Sequence, residues 1–470
     1  MYDYRKQYRC TIIRGKSQKE MDDLLPAYAM VIDKICPCGH EDFEYRFNKE
    51  LENFLPEADR TKKTLDNHRT EISGKLFGMY YFAEDGMVYE AERTQKYLVD
   101  NDQPAFFKDI CYKMQFPNGT QKMKTVLERI NDGIHIRSNA FVINFLKIAE
   151  DAGVKVSKKD IGFYVLNSLD VLQGKASPYE VLQQVIEDKK RKISREIVVP
   201  GKATSYTYQH INEQLNYLEL ANLIRIGADK TVVLNQYEKD AIDIFIRSCG
   251  KELDFDIGSY DLETLEGKKE FQFAWDRYYS RLSPEASHFT TSAEALSLGA
   301  NENINEKGQR KASMSLVDFG DEGEAVVFEY EKKRVAQYNK RLVNKVLSLG
   351  KTKGLGYDIQ SVIAEPGDMD EFVKYIEVKS TKRLTCPDID DDLWIDTINL
   401  TRNEWVAAQQ HKEFYSIFRV YFTRDGVYMF KLNNVAEQLE KRKMIAVPVS
   451  YRLNFGNSCV NEAIAFENYK

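Results

Sequence analysis

The sequence predicts an α+β chain of several domains, with small helical units ahead of an α/β domain. Three observations carry this. At about 150 residues per domain, a chain of 470 residues is too long for one module. Twice before residue 282, apolar residues at helical spacing lead through a polar turn into a four-residue strand pattern and back into a helix. From Asp318 onward one long charged helix gives way to a series of strands.

The first unit covers residues 1–125. Residues 68–82 carry Ile72, Leu76, Phe77 and Tyr80 at helical spacing, and Glu84-Asp85-Gly86 turns the chain. Met87-Val88-Tyr89-Glu90 then reads as a strand, and Thr94 to Leu98 begins another helix. Helix, short hairpin, helix is the pattern of a winged helix. A helical unit at 126–200 holds three helices, at 140–148, 158–166 and 178–186, with Ser157 as N-cap of the second. The third unit, 201–281, repeats the first: Ile211, Leu215, Leu218 and Leu223 mark a helix over 210–226, Gly227-Ala228-Asp229 turns, Thr231 to Leu234 is a strand, and 237–245 is helical. Asp66 to Glu71 has the polar and basic side chains that a helix needs in a major groove, though capping alone also favours polar helix starts. Residues 282–314, rich in Ser, Thr, Ala, Asn, Gly and Glu, read as a linker.

Composition narrows the function. Lys and Arg number 67 against 73 Asp and Glu, a net charge of -6, so a nucleic-acid surface must be a local patch rather than a basic chain. Lys189 to Lys192, Lys332 to Arg334 and Lys441 to Lys443 are the basic runs, a pattern usual on solvated helix faces. No run of about 18 apolar residues is present and the charged start lacks a leader pattern, which predicts no membrane span and no secretion. Seven scattered cysteines suit free thiols in a reducing cytoplasm. Cys36-Pro37-Cys38-Gly39-His40 lacks the second ligand pair of a zinc site and is read as a loop.

The last unit, 315–470, carries the chemistry. Gly320-Asp321-Glu322-Gly323-Glu324 leads into a long helix on which Glu324, Val327, Phe328 and Glu331 share a face, so a carboxylate points where the apolar side chains point. An inward Glu calls for a metal ion or a lysine. Gly354-Leu355-Gly356 hinges into Tyr357-Asp358-Ile359, a strand start, and after a turn at Pro366-Gly367-Asp368 the strand Phe372 to Lys379 follows. Alternation places Glu377 and Lys379 on one strand face, about 6–7 Å apart along the backbone. Tyr375, Ile376 and Val378 around them mark a buried strand, where charges are kept for a reason. Asp358, Glu377 and the Val378 carbonyl offer hard oxygen ligands to an ion such as Mg²⁺, while Lys379 can orient water or meet developing charge on a phosphate. Thr401-x-x-Glu404 fits a capping box, which gives Glu404 a structural role. Gln409 and His411 are read as helix surface and Asp388 to Asp392 as a solvated loop; 414–422 and 427–432 form a hairpin.

The order Gly323-Glu324, Gly356-Tyr357-Asp358-Ile359, Ile376-Glu377-Val378-Lys379-Ser380 and Thr401-Arg402-Asn403-Glu404-Trp405 resembles the nuclease-like C-terminal domain first named from the plant protein NO VEIN, over about 315–428. That family resembles the PD-(D/E)xK nuclease superfamily, whose Pro-Asp step is Tyr357-Asp358 here. The resemblance implies Asp358 and Glu377 as metal ligands, Lys379 as catalytic lysine and Glu324 as the helix carboxylate that completes the site. Arg93-Thr94-Gln95-Lys96-Tyr97-Leu98 and the 145–166 stretch more loosely resemble the DNA-recognition half of type IIS restriction endonucleases. Together these imply a site-specific, type IIS-like restriction endonuclease. It would hydrolyse double-stranded DNA with Mg²⁺, or Mn²⁺ in its place, in a bacterial cytoplasm, as a homodimer at least transiently. The alternative is a non-catalytic or modification-sensing DNA-binding protein with a nuclease-like domain.

Overall fold

Ser17 opens the first helix through a reciprocal capping box with Glu20, and α1 (Gln18–Ile35) follows. The structure, a computed structural model, describes residues 6–199, 201–301, 322–350, 352, 354–363, 372–391, 394–447 and 452–466. Residues 302–314 of the expected linker, Gly320-Asp321, Lys353, the Pro366-Gly367-Asp368 turn and Asp392 lie outside the described residues. The chain divides into two units, 1–295 and 296–470. No described helix is long and apolar enough to cross a membrane.

In the first unit α1 leads to β1 (Cys38–Gly39), α2 (His40–Leu51), α3 (Lys62–Asp66) with a π-helical continuation to Leu76, β2 (Tyr80–Phe82) and β3 (Met87–Glu90). These strands pair antiparallel in the order β1-β3-β2. Three helices, α4 (Glu92–Asp100), α5 (Gln103–Lys113) and α6 (Met123–Asn131), connect to a second run of the same kind. It comprises α7 (Ser138–Asp151), β4 (Val156–Ser157), α8 (Lys158–Ile161) continued π-helically to Leu166, α9 (Leu169–Leu172), α10 (Pro178–Lys190), α11 (Thr204–Leu220), β5 (Ile224–Ile226) and β6 (Thr231–Leu234). The sheet order β4-β6-β5 repeats that of the first run. Ser157 caps α8 as expected, in a capping box with Asp160. The unit ends with α12 (Lys239–Ser248) and α13 (Leu265–Ser280), whose Phe271 and Trp275 pack on Phe255, and the first residues of α14 (Ala293–Asn301).

Four expectations change here. Both helices expected to run into Phe82 and Ile226 stop earlier, where Gly78 (φ 55°) and Asn222 (φ 62°) turn left-handed, and Tyr80–Phe82 and Ile224–Ile226 become strands. Val156–Ser157 pairs with β6, so the helical stretch expected over 126–200 shares a sheet with the stretch after it. Residues 282–295 are not linker: Phe289 and Thr291 are buried, the Ser283 N–H donates to Asp109 (2.9 Å) and the Thr291 N–H to Asp102 (2.8 Å). In the Asp66 to Glu71 stretch, His68 is buried against Tyr28, and Arg69 is tied to Asp66 (2.8 Å) and Glu44 (3.1 Å), so neither presents itself to a groove. Cys38 is buried in β1 as a free thiol, and the His40 ring packs 4.4 Å from that of Phe82.

The second unit starts with α15 (Glu322–Tyr338) and continues through β7 (Leu347–Ser348), β8 (Ile359–Ile363), β9 (Phe372–Lys382), β10 (Asp396–Asn399), α16 (Arg402–His411), β11 (Tyr415–Phe422), β12 (Val427–Asn433), α17 (Val435–Glu440), β13 (Met444–Val447), β14 (Arg452–Phe455) and β15 (Glu462–Phe466). Six strands form one sheet, β15-β12-β11-β9-β8-β7, in which only the β9–β11 pair is parallel; β10-β14-β13 form a small second sheet. The two faces of β9 meet different helices. Lys374 pairs with Glu331 of α15, and a Cβ on Gly323 would press on Val378 and Ser380, so even-numbered residues face α15. Tyr375 stacks on His411 and Lys379 pairs with Glu404, so odd-numbered residues, Glu377 among them, face α16.

Of the two carboxylates on the shared face of α15, both buried, Glu331 has found a lysine. It meets Lys374 (3.2 Å), Arg334 (2.7 Å) and the Ser361 hydroxyl (2.7 Å). Burial alone would raise its carboxyl, but Lys374, Arg334 and Ser361 bring it down to about 2. A carboxyl lowered by folding adds stability above its unfolded value near 4.5 and loses it as pH falls through 2. Glu331→Gln should therefore cost about 3 kcal/mol at pH 7 by leaving Lys374 buried without its counter-charge. The gap between variant and native protein should narrow from pH 4.5 to pH 2 in urea unfolding; a gap constant over that range would remove Glu331 from the acid response.

Candidate active site

Asp358 directly precedes β8, and its N–H donates to the Ile376 carbonyl (2.9 Å). One step beyond the Ile359–Ile376 pair, this register sets Asp358 opposite Glu377. Its Oδ2 accepts the Val378 N–H (2.8 Å), which fixes the carboxylate over β9. The glycines before it make the approach possible: Gly356 sits at φ 78°, and a Cβ there would collide with the Asn403 carbonyl in the first turn of α16. The Tyr415 hydroxyl donates to the Gly356 carbonyl (3.0 Å) and holds the same loop from the other side.

Glu377 is only 3% exposed. Its Oε1 meets Lys379 Nζ at 2.7 Å, and the same ammonium meets Glu404 Oε2 at 2.8 Å. Burial drives the Glu377 carboxyl well above the usual range; Lys379 opposes the rise, and Asp358 and Glu404 add to it. Burial alone would lower Lys379, but Glu377 and Glu404 more than reverse this and hold it charged. Tyr415 is raised by burial first and then by Glu377, Glu404 and Asp358.

Three of the four residues expected at the site thus come together: Asp358, Glu377 and Lys379. Glu324 is buried at the start of α15, with its carboxylate beside Gly350. It approaches the site along that loop, where the Leu349 N–H donates to the Asp358 carbonyl (2.6 Å), while the charges that act most strongly on Glu377 are Lys379, Asp358 and Glu404. Glu404 does form the expected capping box, but it also reaches Lys379, a role that its sequence signal hid. Tyr415 gave no signal beyond its place at a strand start. His411 lies against Tyr375, with 3.9 Å between ring centres. Asp388 to Asp391 is an exposed turn.

The donor set fits a hard divalent cation. Two adjacent carboxylates, one buried and raised partly by the other, carry repulsion that a cation would relieve. Two carboxylates, a main-chain carbonyl and water are a set that Mg²⁺ accepts.

Residues 2–276 match the family model described as "Restriction endonuclease BpuJI - N terminal". The chain belongs to that family. Residues 323–431, which hold the whole constellation above, match the model "Protein NO VEIN, C-terminal". Among solved structures, the chain is similar to the BpuJ1 endonuclease binding domain, crystallised in complex with pyrene- and phenanthrene-modified DNA. That likeness is 50% in sequence identity with a TM-score of 0.57, over 60% of this chain and 100% of that one. No curated protein matches significantly. This member of the BpuJI family therefore joins a restriction-endonuclease N-terminal region to a NO VEIN-like C-terminal one on a single chain.

Proposed function

We propose that the chain is a metal-dependent, type IIS-like restriction endonuclease in which the first unit binds double-stranded DNA and the second cuts it. The observation that carries this reading is the group of Asp358, Glu377 and Lys379, with Glu377 buried and the other two half-buried, on one chain with a BpuJI-type N-terminal region. The two runs, whose three-stranded sheets share one strand order, are taken as winged-helix-like readers, and the six-stranded sheet with α15 and α16 as a PD-(D/E)xK-type nuclease core. Mg²⁺, or Mn²⁺, would be held by Asp358, Glu377 and the Val378 carbonyl; when bound it supplies an activated water and neutralises phosphate charge. Lys379 orients that water or meets charge that develops on the phosphate, and Asp358 stays in place through the Val378 N–H.

A basic patch on the first unit supports DNA binding. The guanidinium groups of Arg9 and Arg14 lie 4.8 and 5.4 Å from the centre of the exposed Tyr206 ring, and Arg14 also bonds Gln209 (2.7 Å). Burial, and then Arg9, Arg14 and Arg129, push the nearby His210 imidazole down to about 4. That field suits phosphate on a chain whose net charge is -6. One such site cuts one strand, so a double-strand break calls for two copies, at least transiently, and a cytoplasmic setting completes the reading.

The test is to incubate the full chain with phage DNA and map the ends. With Mg²⁺ or Mn²⁺, breaks should fall near a recurring sequence; with Ca²⁺ the protein should bind without cutting. Full cleavage in a chelator would overturn the reading.

A further inference from the structure

Lys379 is shared. Its Nζ sits 2.7 Å from Glu377 and 2.8 Å from Glu404, so the carboxylate expected to take a metal ion is already held by an ammonium. A dication at Asp358 and Glu377 and the Lys379 ammonium compete for the same Glu377 oxygens, and like charges repel at that range. The ammonium therefore needs somewhere to stay when the cation arrives.

Glu404 provides that place, and its geometry is fixed locally. Its Oε2 accepts the Thr401 N–H (3.0 Å), and its own N–H donates to the Thr401 hydroxyl (3.3 Å). Helix α16 is in turn pinned against the loop of Asp358 at Gly356 and Asn403. Glu404 meets the Lys379 ammonium directly, at 2.8 Å. Its partner is the lysine.

We propose that Glu404 is a positioning residue: a carboxylate held by the capping box that retains the Lys379 ammonium beside the site while Glu377 turns to the divalent cation. This rests on the metal-dependent nuclease reading. Without Glu404, Lys379 falls back on Glu377 and resists the metal. Outer partners of metal ligands typically set metal affinity by about 10–100-fold, and an effect of this kind should pass entirely through Lys379.

The experiment measures Mn²⁺ binding to the full chain without DNA by electron paramagnetic resonance, which reads the metal independently of cleavage. Glu404→Gln keeps the capping box, because an amide oxygen still accepts the Thr401 N–H, so the helix start survives. It should weaken Mn²⁺ binding about tenfold. In a Lys379→Met background, the same substitution should change binding less than about threefold, because the competing ammonium is gone. Equal affinity of native protein and Glu404→Gln would overturn the inference and leave Glu404 a helix cap. A full loss that persists in the Lys379→Met background would also overturn it, by showing that Glu404 acts on the ion itself. If the native chain binds no Mn²⁺, the nuclease reading fails and the inference falls with it.

Discussion

Replacing Glu377 by Ala, or Asp358 by Asn, should reduce DNA cleavage by at least about 10²–10³-fold, the loss that follows removal of one electrostatic stabiliser from an active site. DNA binding should be unchanged, because both residues lie in the second unit and the BpuJI-type region is in the first. The two substitutions act differently. Glu377→Ala removes a buried acid and leaves Lys379 to Glu404 alone, whereas Asp358→Asn keeps an oxygen for the Val378 N–H and removes only the charge. Both should therefore fold, and far-ultraviolet circular dichroism should match the native protein. Cleavage assays and mobility shifts on the same preparations decide the matter. Undiminished cutting by either variant removes that residue from the site, and a parallel loss of DNA binding breaks the proposed division of labour.

Much of this site was legible because its signal is local. Glu377 and Lys379 share a face by strand alternation alone, and the glycines before Asp358 announce a turn that only small residues can make. Glu404 was legible only in half. Its capping box is satisfied within four residues and accounts for it completely, whereas the contact with Lys379 depends on how α16 docks on the Gly356 loop, which no window of sequence contains. The two faces of β9 were similarly hidden. Glu324 and Glu331 share a helical face in the sequence, yet the even and odd residues of β9 send Lys374 to α15 and Lys379 to α16.

The segment after Arg281 was misread for another reason. Ser283, Thr290 and Thr291 are polar, so hydropathy reads them as solvated, but they are buried or held by polar partners. The Lys108 ammonium, itself buried, meets Glu238 (2.7 Å), the Thr290 carbonyl (3.1 Å) and the Thr291 hydroxyl (2.7 Å). Burial through hydrogen bonds leaves no apolar period to find. Strand β4 escaped notice because two residues carry no alternation, although they join the sheet that β5 and β6 build.

Arg93 sharpens the same lesson, with an expected loss of about 3–5 kcal/mol for Arg93→Ala. The stretch from Arg93 to Leu98 resembles a DNA-recognition phrase, and a basic side chain just after a β-hairpin invites that role. In the structure Arg93 is 1% exposed. Its Nε donates to Asp109 (2.7 Å), one terminal nitrogen donates to the Phe77 carbonyl (2.6 Å), and the guanidinium lies 5.0 Å from the centre of the Tyr279 ring. Asp109 also accepts the Ser283 N–H (2.9 Å), so the pair ties α4 and α5 to the segment after α13. Alanine would leave the Asp109 carboxylate buried with one partner fewer and the Phe77 carbonyl without this donor, and an uncompensated buried charge is what makes such losses large. Urea unfolding of the full chain should show the first unit losing stability by this amount, with DNA affinity at low temperature unaffected in the fraction that stays folded. The opposite outcome, native stability with weakened DNA binding, would mean that Arg93 reads or grips DNA and that its burial is relieved in the complex.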